Sequence, residues 1–223
     1  MKALTINIFL GVLVFSSFTN SNAQVYNWSK IESGNHIVRA HLGLDFGVIY
    51  GLHYGRRLTI KNATLVPFID LSLPLGGEAI DDSKLKIGTS AKVLQRKKWF
   101  LTADVSFISR QNTNPFVAMH NIGFESGVQF GYYKKRWFLN ANISNDYSFA
   151  THLKHTEAYK GNYAGAVDGW YKNTANNFSI GLNTGYSFKK IDITLSPGII
   201  RTDGWSSTPT LPFYGKIGVN YRL

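Results

Sequence analysis

The sequence predicts an all-β protein: a single closed, antiparallel transmembrane β-barrel of about ten strands, with eight as the alternative. Three observations support this prediction. Apolar and polar residues alternate over long segments, which is typical of β-strands with one apolar face. Short basic connections alternate with longer polar ones, as in barrels with tight turns on one membrane side and loops on the other. A segment typical of secretory signal peptides precedes the first strand.

The N-terminal segment has the parts of an export signal. Lys2 supplies a positive charge, residues 6–18 form an apolar run, and Ser21, Asn22 and Ala23 provide a small-residue cleavage site. The run is shorter than the ~20 apolar residues that a transmembrane helix needs. We therefore predict a signal peptide over residues 1–23 and a barrel domain over residues 24–223. The sequence contains no Cys, which excludes disulfides and a lipid-modified N-terminal cysteine.

The chain is basic, with a formal net charge of +11. Nucleic acid is an unusual partner for an exported protein, so the charge favours anionic lipid headgroups. The expected partners are outer-membrane lipids and, during biogenesis, the barrel-assembly machinery. We expect no nucleic acid, no cofactor and no metal, and the oligomeric state is left open.

The longest alternating segment covers residues 36–56, which we predict as one strand. Its apolar face is exceptionally regular, while Gly, His, Arg and Asp occupy most of the other face. A tilted strand crosses a bilayer in ~9–11 residues, so this segment is more than long enough. The apolar residues at even positions are Val38, Ala40, Leu42, Leu44, Phe46, Val48, Tyr50, Leu52 and Tyr54.

Eight more strands follow in order, and Pro67 predicts a bulge or a local break in pairing within the first of them. Since single-chain bacterial barrels have an even number of strands, we add the weak candidate at residues 25–31 as the tenth. The predicted loops cover residues 74–83, 110–120, 149–176 and 201–211. The eight strands are residues 62–73, 84–94, 99–109, 121–133, 136–148, 177–188, 191–200 and 212–223.

The tight turns are basic and flanked by aromatic residues. Lys and Arg at a membrane interface reach lipid headgroups, and aromatic rings form a girdle beside them. We therefore predict that these turns lie at the periplasmic interface. The girdle residues are Trp99, Phe100, Tyr132, Tyr133, Trp137, Phe138, Tyr186 and Phe188.

The polar face of the strands indicates which side faces lipid. A water-facing surface is usually rich in Lys and Glu, whereas this face carries small residues with roughly one acid per strand. Such a face suits a narrow lumen in which opposite charges pair. His41 and His53 share this face with Asp45, and we interpret them as hydrogen-bonded filler rather than a catalytic dyad. The predicted lumen charges are Arg39, Asp45, Asp70, Asp104, Glu125, Asp146, Asp192, Lys216 and Arg222, together with Lys86 and Lys92.

The last residues resemble the C-terminal insertion signal of outer-membrane barrels, with Lys216, Gly218 and Tyr221 matching and Leu223 replacing the terminal aromatic residue. Residues 36–223 also resemble uncharacterised small outer-membrane β-barrel proteins of Gram-negative bacteria. Segments 43–47, 131–137 and 168–171 carry that resemblance. It implies the fold and a bacterial outer-membrane location, and it implies no activity.

Loop 149–176 holds the candidate chemistry. His152, His155 and Glu157 are close enough in sequence to bind a metal, and with Asp168 they are candidate catalytic residues of a lipid-modifying enzyme. Ser148 or Thr151 would then be the nucleophile. The structural alternative is a short helix or Ω-loop that caps the barrel. Its packing residues would be Tyr159, Tyr163, Trp170 and Tyr171.

These observations predict a non-enzymatic, porin-like outer-membrane barrel with a closed or narrow polar lumen. Its role would be structural, adhesive or ligand-binding through the surface loops. The alternatives are an outer-leaflet lipid-modifying enzyme that uses residues 148–168, a narrow small-solute channel, and a soluble exported β-protein.

Overall fold

A computed structural model describes residues 25–31, 36–45, 47–60, 63–76, 82–203, 206–209 and 211–223. The predicted signal peptide and Phe46 lie outside the described residues. No helix in the described ranges has the length and apolar character needed to cross a membrane. The elements are β1 (His36–Leu44), β2 (Val48–Arg56), β3 (Leu58–Ile60), β4 (Ala63–Pro74), β5 (Asp82–Arg96), β6 (Trp99–Thr113), β7 (Val117–Tyr133), β8 (Trp137–His155), α1 (Glu157–Asn162), β9 (Gly169–Phe188), β10 (Ile191–Thr202) and β11 (Phe213–Arg222).

Ten of the eleven strands close into one antiparallel β-barrel, which confirms the predicted fold class and strand number. Strands that follow one another in the chain are neighbours in the sheet. The ring closes where β1 pairs with β11, for example through Val38 and Tyr221. The short β3 is an additional strand that pairs only with the start of β4, because β2 pairs with β4 directly.

The predicted single strand over residues 36–56 is wrong, because this segment is the β1–β2 hairpin. Leu44 pairs with Val48, and residues 45–47 connect the two strands. The odd number of connecting residues keeps even positions facing outward on both sides of the turn, so Leu42 and Tyr50 are both exposed. The period-two pattern therefore continues through the turn, and the alternation alone does not indicate that the chain reverses there.

Residues 25–31 do not form a strand, contrary to the prediction. Val25, Tyr26, Trp28 and Ile31 are 1–2% exposed although they belong to no sheet. We call residues 25–31 the plug segment. The number of strands remains ten because the β1–β2 hairpin supplies the strand that this segment does not.

Pro67 lies where pairing along one edge of β4 is interrupted, as the sequence predicts. β2 pairs with β4 as far as Gly55 and Phe68, and pairing resumes in β3 between Leu58 and Leu65. Proline has no backbone N–H for a ladder hydrogen bond, which accounts for the gap.

The barrel has two different ends. Tight turns at residues 97–98, 134–136 and 189–190 lie at one end with Leu223, and we call it the turn end. The opposite, loop end is uneven, since β1 and β2 have 9 residues each whereas β8 has 19 and β9 has 20. The predicted loops 110–120 and 149–176 are largely strand: only residues 114–116 and 156–168 connect the strands there.

The apolar face of the barrel points outward and the polar face inward. Leu182 is 51% exposed, whereas the adjacent Asn183 is 2% exposed and Glu125 is 1% exposed. A soluble barrel has the opposite arrangement, whereas an apolar exterior around a polar interior is characteristic of transmembrane barrels. This finding confirms the orientation inferred from the sequence.

The predicted aromatic girdle is only partly correct. Trp99, Trp137 and Tyr186 are 38–47% exposed on the outer face. Their sequence neighbours Phe100 and Phe138 are buried inside the barrel. Successive side chains of a strand point to opposite faces, so two adjacent aromatic residues cannot both join the girdle.

Candidate functional site

A cavity of about 800 Å³ lies inside the loop end of the barrel. The long strands β6 to β9 provide most of its wall, and the short β1–β2 hairpin contributes Asp45 at its base. We call this cavity the vestibule. Ligand sites usually have volumes of ~300–1,000 Å³, so its size suits a small organic molecule.

Ion pairs form the floor of the vestibule. The Asp45 carboxylate oxygen Oδ2 lies 3.1 Å from Lys84 Nζ and 2.8 Å from Lys216 Nζ, so two lysines share one acid. Arg110 forms a second ion pair with Asp146. All five side chains are less than one-fifth exposed.

A belt of hydroxyl and amide groups lies beside this floor. Arg110 Nη1 donates to Asn121 Oδ1 at 2.9 Å, and Ser148 Oγ donates to the same oxygen at 3.0 Å. Asn121 Nδ2 donates to Thr151 Oγ1 at 2.7 Å, which in turn lies 2.6 Å from Thr174 Oγ1. These bonds connect β6, β7, β8 and β9 across the cavity wall and fix the Arg110 guanidinium.

Apolar side chains line another part of the vestibule. Met119 and Leu153 come from β7 and β8, near the loop-end limits of these strands. Ile200 comes from β10, and Leu211 lies just before β11. The vestibule thus combines charged, polar and apolar surfaces, which is the composition of many small-molecule sites.

The lumen is blocked between the vestibule and the turn end. Lys86 and Glu125 form a buried ion pair with 2.7 Å between Nζ and Oε1. Beside it lies a second cavity of about 30 Å³, lined by Arg39, His41 and Asp70 among others. This space has room for only about two water molecules.

The plug segment fills the turn end of the lumen. Asn27 Nδ2 donates to Ser187 Oγ at 2.7 Å, and Asn220 Nδ2 donates to the Val25 carbonyl at 2.8 Å. Trp28 packs edge-on against Tyr26, with 5.9 Å between ring centroids. Apolar side chains of the barrel wall complete this cluster, namely Ile37, Val66, Phe100, Tyr133 and Phe138.

A chain of close polar contacts joins the plug segment to the wall. The Tyr26 hydroxyl lies 2.6 Å from His53 Nε2, and His53 Nδ1 lies 3.3 Å from Asp70 Oδ2. His53 therefore pairs with Asp70, while Asp45 binds lysines. The side chains of Tyr26, His53 and Asp70 are each less than 10% exposed.

The structure places the eleven predicted lumen charges on the inner face of the barrel, including Lys92, which is paired with the buried Thr64 and Thr102 and donates to Gln95 Oε1 at 3.0 Å. Arg222 pairs with Asp192 near the turn end, and Asp104 accepts a hydrogen bond from Gln129 at 3.5 Å. Arg39 is 5% exposed beside Asp70, both lining the small cavity. Asp45, Lys86, Glu125, Asp146 and Lys216 belong to the ion pairs described above. The predicted insertion residues lie on β11 and just beyond it, with Lys216 facing inward and Tyr221 and Leu223 exposed.

Of the four candidate catalytic residues of the loop, His155 and Asp168 are in contact, whereas His152 and Glu157 have other partners. His155 Nδ1 lies 3.0 Å from Asp168 Oδ1, while Glu157 pairs with Lys160 at 2.9 Å. His152 packs against the Trp170 ring with 5.1 Å between centroids. Within the described ranges, no group of three His, Cys, Asp or Glu residues is arranged to hold a metal ion.

The loop instead contains an electrostatic clamp around Asp168. The backbone N–H of His155 donates to its carboxylate at 2.7 Å, and Lys160 Nζ lies 3.1 Å from Oδ2. These donors, the backbone N–H first, lower the pKa of Asp168 below its usual range. Helix α1 is present as the capping alternative predicts, with Thr156 as its N-cap, although none of its residues is buried.

Sequence reasoning missed Lys84, Arg110 and the plug segment. Lys84 lies two residues before the predicted lumen residue Lys86, so the period-two alternation places both side chains on the lumen face. Arg110 falls within the predicted loop 110–120 because the apolar alternation fades before the end of β6. Burial of the plug segment has no local sequence signal, since its aromatic residues also fit an interfacial strand.

No family model matches this chain, and no curated protein matches it. Among solved structures, the barrel is similar to one described as "KdgM porin", with 9% sequence identity and a TM-score of 0.44. The match covers 84% of this chain and 99% of that one. At this identity no functional residue can be transferred between the two proteins.

Proposed function

We propose that this protein is a bacterial outer-membrane β-barrel that binds a small ligand in the vestibule and passes no solute through its lumen. The observation that carries this proposal is that the vestibule has a closed base. Its floor of ion pairs is followed by the Lys86–Glu125 pair and then by the buried plug segment. A molecule that enters from the loop end therefore meets donors and acceptors but no exit.

The membrane location is supported by the outer surface. The apolar side chains on the outer face, such as Leu52, Ile87 and Ile217, are 53–62% exposed. An apolar exterior of this kind is stable against hydrocarbon and costly in water. An Arg or Lys side chain on the lipid-facing surface at the bilayer midplane would destabilise the barrel by ~2–4 kcal/mol.

The orientation of the barrel follows from its two ends. The turn end carries Lys97, Lys98, Lys134, Lys135 and Arg136 around aromatic residues. In outer-membrane barrels the short turns face the periplasm and the longer loops face outward. The vestibule would then open to the cell exterior.

Conductance and localisation measurements test this proposal. We expect the purified protein to produce no steady openings in a planar bilayer, and steady openings at the level of a general porin would contradict the proposal. In cells, the protein should fractionate with outer membranes and migrate heat-modifiably on gels. Recovery in the soluble periplasmic fraction would refute the membrane assignment.

A narrow channel is the second candidate, and one observation favours it. The plug segment is held by non-covalent contacts alone, such as the bond from Asn220 to the Val25 carbonyl. Its displacement would remove the cluster that fills the turn end. Regular openings of the unmodified protein that disappear when the plug segment is cross-linked to the wall would support this candidate over a closed barrel.

A further inference from the structure

We propose that the vestibule ligand is an amphipathic anion, whose single carboxylate or phosphate group binds Lys84 and whose apolar body packs against the apolar wall. This inference rests on the proposed ligand-binding function and adds the chemical class of the ligand. Two independent observations lead to it: the charge balance of the floor and the unused donors of one lysine.

The floor contains more cations than anions. Lys84, Lys216 and Arg110 form ion pairs with the carboxylates of Asp45 and Asp146, while the nearby Glu125 pairs with Lys86. Because the single carboxylate of Asp45 pairs with two lysines, the floor has one more positive charge than negative charges. A buried charge without a counter-charge is costly, and a bound anion would supply that counter-charge.

Of the two lysines that pair with Asp45, Lys84 lines the vestibule, whereas Lys216 lines the small second cavity. The Lys84 ammonium group has three N–H donors, and its one hydrogen-bond partner among the described residues is Asp45 Oδ2 at 3.1 Å. The residue is 3% exposed and lines the vestibule. Two donors of a nine-tenths buried ammonium therefore remain for a ligand in the cavity.

Arg110 is not available in the same way. Its guanidinium pairs with Asp146 and donates to Asn121 Oδ1 at 2.9 Å and to Ser148 Oγ at 3.4 Å. These contacts hold Arg110 as part of the wall. The anionic group of the ligand is thus expected at Lys84 rather than at the arginine.

The apolar part of the vestibule wall favours an apolar body. Met119, Leu153, Ile200 and Leu211 line the vestibule, and none of these side chains can form strong hydrogen bonds with a sugar-like ligand. Burial of apolar ligand surface against them is favourable. A small inorganic anion would leave most of the ~800 Å³ cavity unused.

Titration calorimetry with two matched probes tests the inference. The probes are 2-naphthoate, which is anionic and apolar, and the neutral 2-naphthylmethanol. We expect 2-naphthoate to bind the folded protein at least tenfold more tightly than the alcohol. Lys84→Met should weaken naphthoate binding at least tenfold and leave the alcohol unaffected, while Lys84→Arg should retain most of the affinity.

Two controls keep the outcomes separate. Lys92→Met removes a lysine of the same strand that lies outside the vestibule and donates to Gln95 Oε1 at 3.0 Å, and it should bind both probes as the unmodified protein does. Lys84→Met should still fold, because Asp45 keeps Lys216 at 2.8 Å. Heat-modifiable migration verifies folding of each variant.

Different results overturn different proposals. Equal affinities for the two probes, or naphthoate binding that survives Lys84→Met, would refute the anionic class while leaving a ligand-binding vestibule. Binding of neither probe to the folded protein would overturn the inference and count against the ligand-binding function. If Lys84→Met does not fold, Lys84→Gln and Lys84→Arg replace it in the test. Loss of naphthoate binding in Lys84→Gln but not in Lys84→Arg supports the inference, and equal naphthoate binding by these two variants refutes it.

Discussion

The Lys86–Glu125 ion pair gives the sharpest test of how the lumen is stabilised. Nζ and Oε1 lie 2.7 Å apart, and the two side chains are 4% and 1% exposed. At an effective dielectric constant of ~20, the Coulomb attraction at this distance is about 6 kcal/mol. Desolvation of two charges offsets most of it, so the pair adds little net stability compared with two apolar residues.

Breaking the pair should be much more costly than replacing it. We expect Lys86→Met and Glu125→Leu each to lower the free energy of unfolding by about 3–5 kcal/mol, since each leaves a buried charge without its partner. The double variant should lie within about 1 kcal/mol of the unmodified protein or be more stable. The coupling energy between the two sites would then be at least about 5 kcal/mol.

Reversible guanidinium unfolding in lipid vesicles, followed by tryptophan fluorescence, measures these differences. The matched control is the Lys160–Glu157 pair, whose side chains are 31% and 92% exposed. Its double-mutant cycle should show no measurable coupling energy, because solvent screens an exposed pair. Single-variant losses below about 1 kcal/mol, or simple additivity at Lys86 and Glu125, would refute the interpretation of a desolvated lumen pair.

Three further predictions follow from the plug segment, the loop and the close strand contacts. Trp28→Ala removes a side chain that is 1% exposed and should cost about 3–5 kcal/mol of stability; unchanged unfolding would show that the plug segment is not packed inside the barrel. Because the pKa of Asp168 is lowered, the contribution of its carboxylate to the stability of the loop is complete above the ordinary aspartate pKa. This contribution is lost as the pH falls through the lowered pKa. Asp168→Asn should therefore speed tryptic cleavage after Lys160 at neutral pH, and an unchanged rate would contradict the clamp. A Cβ at Gly131 would clash with Asn140 Cβ on the neighbouring strand, so Gly131→Val should reduce the yield of heat-modifiable barrel on refolding. A normal yield would show that the two strands can separate there.

The sequence by itself determined the architecture and the facing of the strands. Leu182 and Asn183 illustrate this, because successive residues of a strand must face opposite sides. The alternation therefore specifies an apolar exterior and a polar interior wherever a strand runs. The same rule should have divided the aromatic pair Trp99 and Phe100 between the two faces, so that error was avoidable from sequence.

The turn at residues 45–47 was not determined locally. Its odd length preserves the outward parity of Leu42 and Tyr50, so the alternation is the same for one long strand and for a hairpin. Only the pairing of Leu44 with Val48 distinguishes them. That hairpin also places Asp45 at the base of the vestibule.

Tertiary structure alone decided which charges meet and what fills the lumen. Asp45 reaches Lys84 and Lys216, which are 39 and 171 residues away in the chain. Closure of β1 against β11 creates that contact. The position of Trp28 depends in the same way on the finished barrel, since the turn-end lumen exists only after the strands have closed. Period-two alternation acts between neighbouring residues, whereas ion pairing and plug packing depend on distances across the ring, which no local pattern encodes.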